Sequence, residues 1–269
     1  MKEFNSFYKQ VAGNEGTKCR YNTRLDTYGC GCQHDCSYCY AKSLLSFRNL
    51  WDAQEPAVAN IEKVEKRIAR IPPGTIVRLG GMTDCFQPLE EQEHVTAETI
   101  MLLNKYGIGY LIVTKSDLIC EYMHILDKNL AHVQVSTTWI PAEKAVSTER
   151  RIKAVETLHA AGFDTAVRLS PYVPQFVDYD QLNSIKCNKI IVEFLRVNHW
   201  IRSWLPLDYS EYTVKHAGYS HLPLAKKIEY LSKITGFDEI SVCEDENEAY
   251  AYFRECVNHN PNDCCNLRR

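Results

Sequence analysis

No run of apolar residues in this 269-residue chain approaches the roughly 18 needed to span a bilayer. The first ten residues, MKEFNSFYKQ, lack the apolar centre of a secretory leader. Basic charge is not in excess: 31 Lys and Arg stand against 34 Asp and Glu, a net of −3. That balance argues against a wide basic surface for nucleic acid, while leaving room for a local basic groove. A Walker-type phosphate loop, a Rossmann glycine fingerprint and a Ser-His-Asp signature are also missing. These absences turn attention away from membrane proteins, nucleotide-hydrolysing motors, dinucleotide enzymes and serine hydrolases. The expected location is the cytoplasm, where thiols stay reduced and clustered cysteines bind metal or do chemistry rather than build a disulfide framework.

Cysteine, by contrast, is plentiful, with 12 in all. Cys32, Cys36 and Cys39 stand in C-x3-C-x2-C spacing within GCGCQHDCSYCYA. A cubane 4Fe–4S cluster ordinarily takes four thiolates. A loop that offers three leaves one iron open, and an open metal position is where a substrate or cosubstrate binds. Zinc usage differs, usually pairing two short C-x2-C knuckles across a longer gap.

A hydrophobic content of 45% at this length supports a sizeable core, in one barrel-like domain or two smaller ones. Strands are predicted over 24–28, 75–79, 109–114, 131–136, 164–169 and 189–194. Between them helices are predicted over 38–47, 58–69, 96–105, 117–127 (capped by Asp117), 148–161 and 179–185. Apolar strands alternating with helices form parallel β/α units. The prediction is therefore an α/β fold, a partial (β/α)6 TIM-like barrel with its chemistry at the carboxyl ends of the strands. After Phe194 the aromatic run HWIRSWLPLDYSEYTVKHAGYSHL suggests a loop-rich cover. A helix over 223–235, a strand over 239–243 and a helix over 246–256 follow. The expected division is a barrel core over 1–194 and a C-terminal α/β extension over 195–269 with a cysteine-rich tail.

The run YGCGCQHDCSYCYA, followed in order by RLGGMTDCFQPLE, IVTKSDL, VQVSTT and RLSPYVP, resembles the radical S-adenosylmethionine superfamily and, within it, the spore photoproduct lyase-like branch. The resemblance covers roughly residues 24–185. It implies that Cys32, Cys36 and Cys39 bind a 4Fe–4S cluster whose fourth iron chelates the amino and carboxylate groups of S-adenosylmethionine. It implies reductive cleavage of that cosubstrate to methionine and a 5′-deoxyadenosyl radical, which takes a hydrogen atom from a substrate. The cofactor does the hard chemistry while the protein positions it. A reductant such as flavodoxin or ferredoxin is the implied partner. The substrate stays open, with nucleic-acid or nucleotide material among the candidates; no membrane partner is expected.

The same resemblance implies roles for single residues. Tyr38 lies near the adenine, or is a packing ring. Gly80 and Gly81 let bare backbone approach the methionine amino group, or form a simple turn. Thr83 hydrogen-bonds the cosubstrate, Lys115 meets its carboxylate or ribose, Ser136 contacts the ribose and Arg168 holds the carboxylate; each has a salt bridge or strand-end cap as its alternative. Tyr172 and Val173 flank the adenine, or shape a turn with Pro171. Tyr38 and Tyr40 match tyrosines that take part in the radical relay of the lyase. The cysteine that returns a hydrogen atom in that relay falls on Gly81 here, leaving Cys85 as a displaced counterpart or a buried thiol. Repair of the spore photoproduct itself is not expected.

Cys256, His259, Cys264 and Cys265, with Cys243 nearby, offer a second metal site for zinc or iron–sulfur, or are simply tail thiols. Cys19 and Cys30 read as packing residues beside the main loop. Two other functions stay open: a non-enzymatic iron–sulfur electron carrier or redox sensor, and a zinc-stapled nucleic-acid-binding module.

Overall fold

The computed structural model describes Phe4 and residues 6–8, 18–141 and 143–268. Its strands, in chain order, are β1 (Phe7–Tyr8), β2 (Arg24–Leu25), β3 (Tyr28–Gly29), β4 (Ala57–Val58), β5 (Ile76–Leu79), β6 (Gly109–Thr114), β7 (Ala131–Ser136), β8 (Asp164–Tyr172), β9 (Lys189–Phe194), β10 (Val214–His216), β11 (Tyr219–His221) and β12 (Glu239–Val242). The main sheet runs β1-β2-β5-β6-β7-β8-β9-β12. β1 pairs antiparallel with β2, and every later neighbour runs parallel. Among the described residues β12 does not pair back to β1 or β2, so the barrel is open. The partial α/β barrel expected from the sequence is what forms. β12 adds one more parallel strand beside β9, with Ile240 opposite Ile190.

Each central strand alternates between two environments. Val77, Leu79, Tyr110, Ile112, Val133, Val135, Val167 and Leu169 point outward into the main apolar core. Ile100 and Leu103 of helix Val95–Lys105 and Val155 and Leu158 of helix Thr148–Ala160 pack there. The opposite face, inside the barrel, carries Arg24, His132, Gln134, Asp164 and Arg168, all buried. Buried charges persist only when partnered. His132 Nδ1 lies 2.6 Å from Asp164 Oδ2, Lys189 Nζ donates to Asp164 Oδ1 at 2.5 Å, and Arg168 donates to Gln134 Oε1 at 2.8 Å and to Glu193 Oε2 at 2.6 Å.

The C-terminal tail closes this polar interior at the amino-terminal end of the strands. The Arg268 amide donates to Asp164 Oδ2 at 2.7 Å, Lys189 Nζ to the Asn266 carbonyl at 2.9 Å, and the Tyr21 hydroxyl to Asp263.

The helix predicted over 117–127 is instead two 3-10 turns, Asp117–Cys120 and Met123–Ile125. Ser116, not Asp117, caps the first turn, its Oγ accepting from the Leu118 amide at 3.2 Å. Leu118 and Ile119 are buried; anchoring them in the core outweighs the weak propensity of so short a segment to run on as α-helix. The aromatic cover contains a helix, His199–Trp204, and the β10–β11 hairpin. Among the described residues no helix is long and apolar enough to cross a membrane.

Candidate active site at the carboxyl ends of the strands

The cysteine loop runs from β3 into the helix Tyr40–Ser46. Cys30 and Asp35 take left-handed φ angles of 57° and 43°, which curl the loop. At Gly31 the backbone of Asp52 passes so close that a Cβ would sit 1.8 Å from its carbonyl oxygen, so only glycine fits. Amide bonds from Asp35 to the Cys32 carbonyl (3.0 Å) and from Cys39 to the Cys36 carbonyl (3.2 Å) fold the three cysteines together. Cys39 caps the helix, its Sγ accepting from the Lys42 amide at 3.4 Å. That cap is why the helix starts at Tyr40, two residues later than predicted. Cys32, Cys36 and Cys39 all line one cavity. Burial raises all three thiol pKa values, that of Cys36 to about 12 despite the charge of Lys115. A metal that binds here displaces those protons.

The loop is pinned to the segment after β5. Gln87 Oε1 accepts from the Gln33 amide at 2.8 Å, and His34 Nε2 lies 3.3 Å from Asp84 Oδ2. Asp84 also accepts from Thr114 Oγ1 at 2.7 Å and from the Lys115 amide at 2.6 Å. Burial pushes the Asp84 carboxyl up, but the hydrogen bond and charge of His34 and the other donors win and hold it below the ordinary value.

At Gly80, φ is 79° and a Cβ would meet the Val113 carbonyl oxygen at 2.4 Å. The close pass of β6 therefore demands glycine here, whatever else the site holds. The next amides are anchored: those of Gly81 and Met82 donate to Asp26 Oδ1 at 2.7 and 2.9 Å. The Tyr40 hydroxyl donates to the Gly81 carbonyl, and Thr83 Oγ1 to the Tyr28 carbonyl at 2.6 Å.

Tyr38, Tyr40, Gly80, Gly81, Thr83, Lys115, Ser136 and Arg168 join the three cysteines around the cavity. Cys85, Tyr172 and Val173 lie elsewhere, buried in the apolar core. Burial pushes the Cys85 thiol well up. The Tyr172 hydroxyl donates to the Tyr230 carbonyl at 2.8 Å, and its ring meets Phe194 at 4.9 Å. Pro171, one residue earlier, is the part of that turn that lines the cavity.

Lys115 Nζ donates to the Ser170 carbonyl at 3.1 Å and sits 5.0 Å from the Tyr38 ring centroid. Burial lowers its pKa, partly offset by Cys36. Beyond it runs a chain of charges that sequence reasoning missed. Glu193 takes Arg168 on Oε2 and Arg196 on Oε1 (3.1 Å), and Arg196 continues to Asp245 Oδ2 at 2.9 Å. Burial raises the Glu193 pKa, but Arg168 and Arg196 overcome it and bring the carboxyl to about 2. Its available signal was an acidic residue near the end of the buried strand KIIVEF. Asp26, His34 and Asp84 were legible only as polar residues beside glycine and cysteine motifs.

His221, Glu244 and Asp245 have ligand atoms within 4.8 Å of one another. Cations already occupy those carboxylates, since Lys227 donates to Glu244 and Arg196 to Asp245. Among the described residues this is the one such trio of His, Cys, Asp or Glu atoms so close. The Cys32, Cys36 and Cys39 sulfurs are thus spread more widely than one tetrahedral zinc ion would draw them, about 3.8 Å for Zn–S bonds of about 2.3 Å. That spread suits a polynuclear iron–sulfur cluster. The Tyr38 hydroxyl and Trp51 Nε1, buried without partners and lining the same cavity, suit a polar organic co-ligand.

Comparison with known proteins agrees with this reading. An uncharacterized protein of Methanocaldococcus jannaschii is 26% identical over 163 residues, 56% of this chain and 61% of its own length. An uncharacterized protein of Mycobacterium tuberculosis is 26% identical over 166 residues, 55% of this chain and 49% of its own. The chain thus matches about half to three fifths of the length of these curated relatives. Among solved structures, a spore photoproduct lyase mutant with bound AdoMet and dinucleoside spore photoproduct superposes with a TM-score of 0.56 at 16% identity, over 84% of this chain and 77% of that one. Spore photoproduct lyase complexed with dinucleoside spore photoproduct gives 0.58 at 15%, over 82% and 76%. At such identity the likeness speaks for the fold alone. Residues 27–180 match the family model of the Radical SAM superfamily. With more than half its length matched, the chain belongs to the radical SAM superfamily.

Proposed function

We propose that this protein is a radical S-adenosylmethionine enzyme acting on a nucleic-acid-derived substrate, with Cys32, Cys36 and Cys39 as ligands of its 4Fe–4S cluster. The observation that carries the reading is the convergence of those three thiols with strand-end residues from β5 to β9 on one cavity. When bound, the cluster and S-adenosylmethionine supply one-electron cleavage to a 5′-deoxyadenosyl radical and hydrogen-atom abstraction. The chain's own groups bind and orient. Lys115 and Arg168 face the cosubstrate carboxylate or ribose, and Ser136 the ribose. The backbone at Gly80 and Gly81 and the hydroxyl of Thr83 receive the methionine end, while Tyr38 packs on the adenine. Buried walls keep water from the reacting atoms. A flavodoxin or ferredoxin delivers the electron.

Support for the substrate class comes from exposed aromatics and from the solved structures of similar fold, whose own ligand is dinucleoside spore photoproduct. Phe47 and Trp200 are exposed on the helix-bearing segments beside the cysteine loop, which Asn198 and Ser43 join by a 3.0 Å hydrogen bond. Trp200 lies 5.7 Å from Trp204, and Lys42 lies 4.9 Å from the Trp204 ring. Exposed aromatics with interleaved cations form a platform on which bases stack.

The test is anaerobic reconstitution followed by calorimetry with S-adenosylmethionine and assay of 5′-deoxyadenosine under strong reductant. Binding and release of 5′-deoxyadenosine support the enzyme. A reconstituted cluster that binds no S-adenosylmethionine favours the electron carrier or sensor instead. Oligonucleotides that fail to change the rate or products of cleavage sink the substrate class.

A further inference from the structure

The tail cysteines do not assemble as their spacing suggests. Cys256 is exposed, and His259 borders a separate polar cavity with Asp164 and Lys189. Cys264 and Cys265 instead turn into the barrel interior. Cys264 lines the main cavity beside Cys243 and packs against Cys265 in one buried cluster. Cys243 follows β12, and Cys19 arrives from the amino-terminal segment to line the same cavity. Cys19, Cys264 and Cys265 pack together with Tyr21 and Leu111. Three segments far apart in sequence thus bring four cysteines to one place.

We propose that Cys19, Cys243, Cys264 and Cys265 ligate a second iron–sulfur cluster inside the barrel, facing the cavity that the cysteine loop lines from the other side. Cys19, Cys243 and Cys264 line that cavity together with Cys32, Cys36 and Cys39. No three of these sulfurs lie within 4.8 Å of one another, wider than the ~3.8 Å of a single zinc tetrathiolate.

Charge supports the assignment. Four thiolates around a cluster leave a net negative centre, which needs cations when buried. Arg24 and Arg168 are buried inside the barrel, and Arg168 lines the cavity with Cys19, Cys243 and Cys264. Arg78 also lines the cavity, and its buried Nε has no hydrogen-bond partner. On assembly the four thiol protons leave and four iron–sulfur bonds form; iron and sulfide are supplied from outside.

The test uses the full chain reconstituted anaerobically with ferrous iron and sulfide, then assayed for iron, acid-labile sulfide and zinc. Wild type should hold about eight irons, and the Cys32→Ala/Cys36→Ala/Cys39→Ala variant about four, with matching sulfide. Cys243→Ser/Cys264→Ser should also keep about four, now in the cysteine loop. An iron-free triple variant, or zinc without sulfide, overturns the inference. If the Cys243/Cys264 variant misfolds by circular dichroism, iron retained in the triple variant still decides the question. The cysteine-loop reading fails separately: Cys243→Ser/Cys264→Ser would then lose all its iron.

Discussion

Asp26 holds Gly81 in place: its Oδ1 accepts the Gly81 amide at 2.7 Å, and the same oxygen takes Met82 at 2.9 Å. The other oxygen, Oδ2, is buried without a partner. Burial raises the Asp26 pKa from 3.8 to about 6, against the pull of those amides. Folding therefore favours the protonated acid. The stability this contributes is complete below pH 3.8 and is lost as pH rises through about 6. Asp26→Asn keeps an accepting oxygen but cannot titrate, so its melting temperature should not share the wild-type decline across that window. Parallel pH profiles for the two proteins would count against the assignment. Asp26→Ala frees the Gly81–Met82 turn and should weaken S-adenosylmethionine binding about tenfold by calorimetry, the equivalent of one lost hydrogen bond.

Glu193 joins two arginines, and removing its charge strands Arg168, while Arg196 keeps Asp245. Arg168 is 3% exposed at its side chain, so Glu193→Gln leaves an uncompensated buried cation. The expected cost is about 3–5 kcal/mol, read from the urea midpoint. With the Glu193 pKa lowered to about 2, its contribution is present above pH 4.5 and lost as pH falls through about 2. A variant as stable as wild type at pH 7 would show the pair to be dispensable.

Single replacements Cys32→Ala, Cys36→Ala and Cys39→Ala should each abolish formation of 5′-deoxyadenosine. None has a neighbouring thiol in the loop to substitute for it except Cys30, which is not among the residues lining the cavity. Retained turnover in Cys36→Ala would require a different ligand set.

The three cysteines were legible because metal ligation forces both residue type and spacing. The strands were legible for a related reason: a parallel sheet covered by helices needs long apolar runs, and GYLIVT and KIIVEF are such runs. The 3-10 turns at Asp117 and Met123 were not, because tertiary anchoring of Leu118 and Ile119 decides them. Nor was the cluster of Cys19 with Cys243, Cys264 and Cys265. Its members are separated by more than 200 residues of chain between Cys19 and Cys243, and only the tail's path under the barrel brings them together. The alternation of Arg24, Arg78 and Arg168 with apolar neighbours was visible, but a polar face usually means solvent. Here it is an interior.

Cys85 separates two readings of the motif MTDCF. It is 1% exposed and sits in the apolar core, outside the cavity. Cys85→Ala should cost about 1 kcal/mol in stability for the lost packing and leave the rate of 5′-deoxyadenosine release near wild type. A Cys85→Ala protein that folds and binds S-adenosylmethionine but changes its product from the oligonucleotide would return this thiol to the reaction.

The rim offers the sharpest check on the substrate. Phe47 is 76% exposed just after the helix Tyr40–Ser46, and Trp200 is 38% exposed on the helix His199–Trp204, whose cap Asn198 bonds Ser43. Neither is needed for the fold, since replacing an exposed ring seldom shifts stability by more than about 0.5 kcal/mol. If bases stack there, each ring contributes about 1–3 kcal/mol to binding. Phe47→Ala and Trp200→Ala should then each weaken binding of a single-stranded oligonucleotide about tenfold or more by fluorescence anisotropy. Binding of S-adenosylmethionine, measured in parallel, should not change, because these rings stand outside the pocket that receives it. Because that readout separates substrate from cosubstrate, loss of both together would mark the rim as structural, while loss of neither would move the substrate to another face of the protein.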